Sequence, residues 1–205
     1  MKNVFLSIAF IFVTSVAFTQ VKVSPGVRLG LNNATLQGLD NAKSKLGLNA
    51  GVFVNFHLSN FYEFQLETNY SKQGASGTAN IDNFYYISQN DPYFNKTVKE
   101  YFKISYVSLG AINNFHILKD LGVYVLIGPG IDFIVYDGHK NLAIFDISLT
   151  GGVGYKLPIG IAIEARYKQG AIDVNDGLTI FGNKKNYYNS VFQLSVSYKF
   201  NFSKK

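Results

Sequence analysis

The sequence has no cysteine and no tryptophan, and only 4 prolines and 1 methionine among its 205 residues. Without cysteine there is no disulfide scaffold, no thiolate metal site and no cysteine nucleophile. A lipoprotein anchor, which needs a cysteine at its cleavage site, is excluded as well. Charge is scarce too, with Asp, Glu, Lys and Arg at 16%. The formal net charge is +6, yet no basic run exceeds a pair such as Lys184-Lys185. The continuous basic stripe of a nucleic-acid binder is therefore missing. Beyond residue 20, no apolar run is long enough for a membrane-spanning helix.

What is present is aromatic and small: 14 Tyr, 18 Phe and 19 Gly, in a chain that is 47% hydrophobic. These are residues of twisted sheets and aromatic girdles, and this much apolar content argues against disorder. Met1-Lys2-Asn3 is a short basic start, followed by an apolar run from Val4 to Phe18. Ala17-Phe18-Thr19 then offers small residues where a signal peptidase reads. The run is short for a helix crossing a ~30 Å hydrocarbon core. The expected organisation is a cleaved signal peptide over 1–19 and one domain over 20–205.

That domain alternates with period two. Leu46, Leu48, Ala50, Val52, Val54, Phe56 and Leu58 alternate with Gly47, Asn49, Gly51, Phe53, Asn55 and His57, which gives one apolar face and one small or polar face. Similar segments begin near Gly26, Tyr62, Tyr106, Val123, Phe145, Ile159 and Phe192. The count is eight strands of about 9–13 residues, against the ~9–11 a tilted strand needs to cross a bilayer. The second face carries Arg28, Glu63, Glu67, Asp132, Asp146, Glu164, Arg166, Lys168 and Lys199 beside many glycines. An apolar outer band around a charged, glycine-relieved interior is the layout of a small membrane barrel. The fold class predicted is all-β, an eight-stranded antiparallel up-and-down transmembrane β-barrel.

Connections alternate in length. Ser59-Asn60, Leu118-Lys119-Asp120 and Lys156-Leu157-Pro158 are tight, whereas Asn33–Lys45, Gly74–Glu100, Tyr136–Leu142 and Gln169–Asn189 are long. Outer-membrane barrels put tight turns in the periplasm and longer loops outside, so both termini are expected in the periplasm. The aromatics of Gly74–Glu100, such as Tyr85, Tyr86, Tyr93 and Phe94, suit a binding surface or the outer lipid interface.

The inward charges Arg28, Glu63, Glu67, Asp132, Asp146, Glu164, Arg166 and Lys199 are read as a structural network, because a buried charge needs a partner. Arg28 and Lys199 are expected side by side where the barrel closes, with Glu63 or Glu67 answering them across the interior and Asp146 beside Glu164 and Arg166. His57 and His116 fall near the rim and His139 in a loop, without metal-ligand spacing. No catalytic, cofactor or metal site is expected. Gly128-Pro129-Gly130 and Gly151-Gly152-Val153-Gly154 lead into no helix, so they are strand glycines rather than phosphate loops.

The segments Gly26-Val27-Arg28-Leu29-Gly30-Leu31-Asn32, Ala50-Gly51-Val52-Phe53-Val54, Phe64 to Gly74, Ser105 to Gly110, Glu164-Ala165-Arg166-Tyr167 and Tyr198-Lys199-Phe200 together resemble the PorT-like outer-membrane barrels of the Bacteroides–Flavobacterium group. Departures are Ser108 and Gly110 where that family has Glu and Pro, and the tail Ser203-Lys204-Lys205 beyond the last aromatic. The resemblance implies outer-membrane location and, for some relatives, a part in secretion or gliding. The expected partners are outer-membrane lipid, the barrel-assembly machinery and other envelope proteins, with no nucleic acid. The expected role is non-enzymatic: structural, adhesive or secretion-accessory. A small pore or solute-binding barrel is the alternative, and a lipid-modifying enzyme a third reading.

Overall fold

The computed structural model describes residues 21–38, 40–80, 97–118, 120–137, 145–172 and 188–200. The signal segment, most of the long loops with Tyr85, Tyr86, Tyr93, Phe94 and His139, and the tail after Phe200 lie outside these residues. Eight strands run in chain order: β1 (Lys22–Gln37), β2 (Asp40–His57), β3 (Tyr62–Asn80), β4 (Thr97–Leu118), β5 (Val123–Asp137), β6 (Phe145–Lys156), β7 (Ile161–Gly170) and β8 (Tyr188–Lys199). Each pairs antiparallel with its sequence neighbours, and β1 pairs with β8 from Gly26↔Lys199 to Gln37↔Tyr188, so the barrel is closed.

Alternation sets the two faces. Along β1, Val27, Leu29 and Leu31 are exposed while Arg28 and Asn32 are buried. Along β6, Phe145, Ile147, Leu149 and Val153 point out while Asp146, Ser148 and Thr150 point in. An exposed apolar wall around a buried polar lumen is the inverse of a soluble core, and it matches a barrel whose solvent is lipid. The tight turns need special backbone. Gly122 and Gly160 adopt φ of 73° and 87°, a left-handed conformation that costs glycine least. In the β2–β3 turn, Ser59 Oγ accepts from the backbone N–H of Tyr62 at 3.0 Å.

Two sequence expectations are corrected. Asn33–Lys45 is no loop: β1 continues to Gln37 and β2 resumes at Asp40, around Gly38 at φ 91°. Residues 74–80 and 97–100 of the expected loop Gly74–Glu100 are likewise paired strand, down to Asn80↔Thr97. On β1 the lipid-facing row turns polar, with Asn33, Thr35 and Gln37 following Val27, Leu29 and Leu31, so no outward apolar alternation marks the continuation. The 19-residue β3 and 22-residue β4 far exceed the ~9–11 residues a bilayer requires. By contrast, the β6–β7 ladder stops at Ser148↔Gly170. Among the described residues, the β3–β4 ladder therefore extends further at the hairpin end than the β6–β7 ladder.

Candidate functional site: the barrel lumen

At mid-height, four charges from three strands close on one another. Arg28 Nη1 donates to Glu67 Oε2 at 2.7 Å, and Arg28 Nε lies 3.1 Å from Glu164 Oε2. Arg166 reaches the same two carboxylates, at 2.9 Å to Glu67 and 2.9 Å to Glu164. Alternating signs make a neutral ring across the lumen, and Arg166 is only 2% exposed. Neighbours complete it. Tyr124 donates to Glu164 at 2.6 Å, while Gln65 and Asn69 donate to Glu67 at 2.8 and 3.0 Å. Phe53 lies 5.4 Å beneath the Arg28 guanidinium, within cation–π range. Glycine makes the room: a Cβ at Gly110 would sit 3.1 Å from the Glu67 side chain, and one at Gly154 would strike the Tyr124 ring.

The sequence matches, over residues 5–200, the family described as "Outer membrane protein beta-barrel domain". The chain belongs to that family. It is an integral β-barrel protein of the cell outer membrane. Among solved structures it is similar to neisserial surface protein A, 17% identical over 87% of this chain and 99% of that one, with a TM-score of 0.48. Ail of Yersinia pestis is 13% identical over 87% and 99%, with a TM-score of 0.48. OprG of Pseudomonas aeruginosa is 10% identical over 87% and 94%, with a TM-score of 0.42. No curated protein matches.

Membership of this outer-membrane family gives the outer wall its meaning. An aliphatic band including Leu29, Val52, Leu66, Leu109, Ile127 and Val196 is exposed to lipid. Near the turn end it gives way to aromatic contacts, Phe61–Phe115 at 5.8 Å and Tyr198–Phe200 at 5.1 Å. On the hairpin side, Tyr70 pairs with Val107, Val107 with Phe133, and Phe133 with Phe145, one continuous outward row. Two aromatic rows around an aliphatic band are the girdles of an outer-membrane barrel.

Inside, the outer-membrane barrel divides its remaining charges between the two ends. Toward the turns, Glu63 meets Lys199 at 2.7 Å, His57 at 3.1 Å, His116 at 3.4 Å and Lys156 at 3.8 Å. This cluster borders an open cavity of about 380 Å³ lined also by Asn60, Asp120 and Tyr155. Toward the hairpins, Lys168 holds Asp132 and donates to Ser108 at 3.1 Å. Asp146 accepts instead from the backbone N–H of Ala171 and Ile172, at 3.2 and 2.9 Å. Between these levels run amide and hydroxyl bonds, with Asn32 donating to Ser71 and Asn49 to Asn32, each at 2.6 Å.

Of the eight predicted charges, the structure thus gathers Arg28, Glu67, Glu164 and Arg166 into one ring and leaves Glu63, Lys199, Asp132 and Asp146 outside it. Arg28 and Lys199 do not share a carboxylate. Lys199 lies opposite Gly26 and Arg28 opposite Ser197, so the two bases answer different glutamates. Asp146 is not beside Glu164 and Arg166, because its ladder partner is Asp132 while Glu164 pairs with Gly154. Sequence reasoning left Tyr124, Lys156, His57 and His116 out of the network. Tyr124 and His57 had a usable signal in their inward parity, but the cavity side of a turn residue such as Lys156 has none. Nor is the interior uniformly polar. Leu36, Ala75, Ile104 and Tyr106 form one buried apolar cluster, and Ile112, Tyr124, Leu126 and Ala162 another. Among the described residues, no three His, Cys, Asp or Glu side chains are grouped to hold a metal ion.

Proposed function

We propose that this barrel does not conduct, and that it acts by binding at its ends, as an adhesive or secretion-accessory component of the envelope. The observation that carries this reading is the four-charge ring of Arg28, Glu67, Arg166 and Glu164 across the lumen. An eight-stranded interior is just wide enough for side chains to fill, and an ion passing here would have to displace paired charges. The turn end faces the periplasm, and the long strands β3 and β4 reach outside as a surface for a partner. Residues 1–19 act as a cleaved signal peptide, and the barrel-assembly machinery inserts the mature chain from Gln20. The strand motifs support a place in the PorT-like branch. A non-enzymatic role is supported by His57 and His116, both turned onto Glu63, and by Ser59, whose hydroxyl is engaged in its own turn. Nucleic acid is no partner.

Planar-bilayer recording of the purified mature barrel tests the reading. The expected result is a silent membrane, with openings arising only when Arg166 and Glu67 are both replaced by alanine. Steady large openings from the unaltered protein would favour the pore.

A further inference from the structure

The hairpin side of the lumen carries a charge imbalance that the mid-height ring does not. Asp132 and Asp146 are direct cross-strand partners, both inward-facing, at 1% and 3% exposure. Opposed residues of this kind sit about 4.5–5.5 Å apart at Cβ, and like charges there repel. The base in contact with the pair is Lys168, through Asp132. Among the described residues, two carboxylates thus answer one ammonium in a place shielded from water, where an uncompensated charge is costly. Three oxygens here have no hydrogen-bond partner among the described residues: Asp132 Oδ2, Asp146 Oδ2 and Ser148 Oγ. They occupy contiguous inward positions, since Ser148 follows Asp146 by two on β6 and its own partner is Gly130. Glycine at that partner position gives room to the Ser148 hydroxyl, whose Oγ lies 3.1 Å from where a Cβ would stand.

We propose that Asp132, Asp146 and Ser148 form a binding site for a small monovalent cation of the sodium class. Hard oxygen ligands without nitrogen or sulfur suit an alkali or alkaline-earth ion rather than a transition metal. The charge ledger selects the monovalent ion, because one added positive charge balances two carboxylates and Lys168. The site ties β5 to β6 and would close the hairpin side of the lumen as the ring closes its middle.

The test is urea unfolding of the folded mature barrel in detergent, in sodium chloride, choline chloride and calcium chloride at equal ionic strength. Sodium should raise the folded-to-unfolded ratio by on the order of tenfold when it is well above its dissociation constant. Asp146→Asn should lose the sodium-specific gain while keeping an oxygen for the Ala171 and Ile172 amides, and Ser148→Ala should reduce it. Asp132→Asn also strips Lys168 of its partner, so the first two variants report. Equal stability in sodium and choline would overturn the site and assign the balance to a shared proton. A gain undiminished in both variants would overturn its location, and a gain from calcium but not sodium would overturn the monovalent assignment.

Discussion

At mid-height two arginines face two glutamates and all four side chains are shut from water. At the turn end one glutamate gathers two lysines and two histidines beside an open cavity. Their side chains are 2–7% exposed in the ring, but 37% for Lys156 and 39% for His57 at the mouth. Equal-looking ion pairs therefore differ in what their loss leaves behind. In the ring a deleted partner strands a charge with no water to take it. At the mouth water and other bases replace it. The comparison separates side chains shut inside the barrel from side chains open at its turn end.

The sharpest way to break the comparison is Arg166→Ala. It leaves Glu67 and Glu164 sharing Arg28 alone, and should cost about 3–5 kcal/mol, the scale for a truly buried pair. Urea unfolding in lipid or detergent reads this. A loss under 1 kcal/mol would mean that water reaches the ring. Val52→Lys tests the other face at the same height. Val52 pairs with Val27 and Thr68, which flank Arg28 and Glu67, and an inserted lysine there should cost about 2–4 kcal/mol near the bilayer midplane. No loss would place the membrane elsewhere on the wall. A smaller effect is expected from Gly154→Ala, whose new methyl would strike the Tyr124 ring and strain its bond to Glu164. Overpacking of this kind costs about 1–3 kcal/mol, and a Tyr124→Leu background should recover much of it.

How much of this could be read from the sequence follows from the same geometry. Faces were legible because period two is a local property: Arg28 had to point away from Val27 and Leu29. Strand ends were not, because Asn33 to Gln37 and Asp40 to Lys45 carry no lipid-facing apolar row, and only pairing with β8 and β3 shows that they are strand. Partners across the lumen were hidden for a different reason. Arg28 meets Glu67, 39 positions away, and Arg166 meets Glu67, 99 positions away. Such choices depend on strand tilt and closure, which alternation does not encode. Asp146 shows the remaining gap: backbone amides near Ala171 take one of its oxygens, and no side-chain pattern announces them.

The smallest expected effect is the most discriminating for the turn end. Lys156 lies 3.8 Å from Glu63 and is 37% exposed, whereas Lys199 holds the same carboxylate at 2.7 Å and is 15% exposed. Lys156→Ala removes a long, solvated contact and leaves Glu63 with Lys199, His57 and His116. Its cost should stay within about 0–1 kcal/mol, the range for exposed pairs, and should shrink further in ~1 M salt, where the Debye length falls to about 3 Å. Arg166→Ala should show almost no such salt dependence, because ions do not enter the ring. Paired urea titrations at low and high potassium chloride, with both variants beside the unaltered barrel, read the contrast directly. If Lys156→Ala costs as much as Arg166→Ala, the mouth is as closed as the middle, and the turn-end cavity is packing rather than a place to bind.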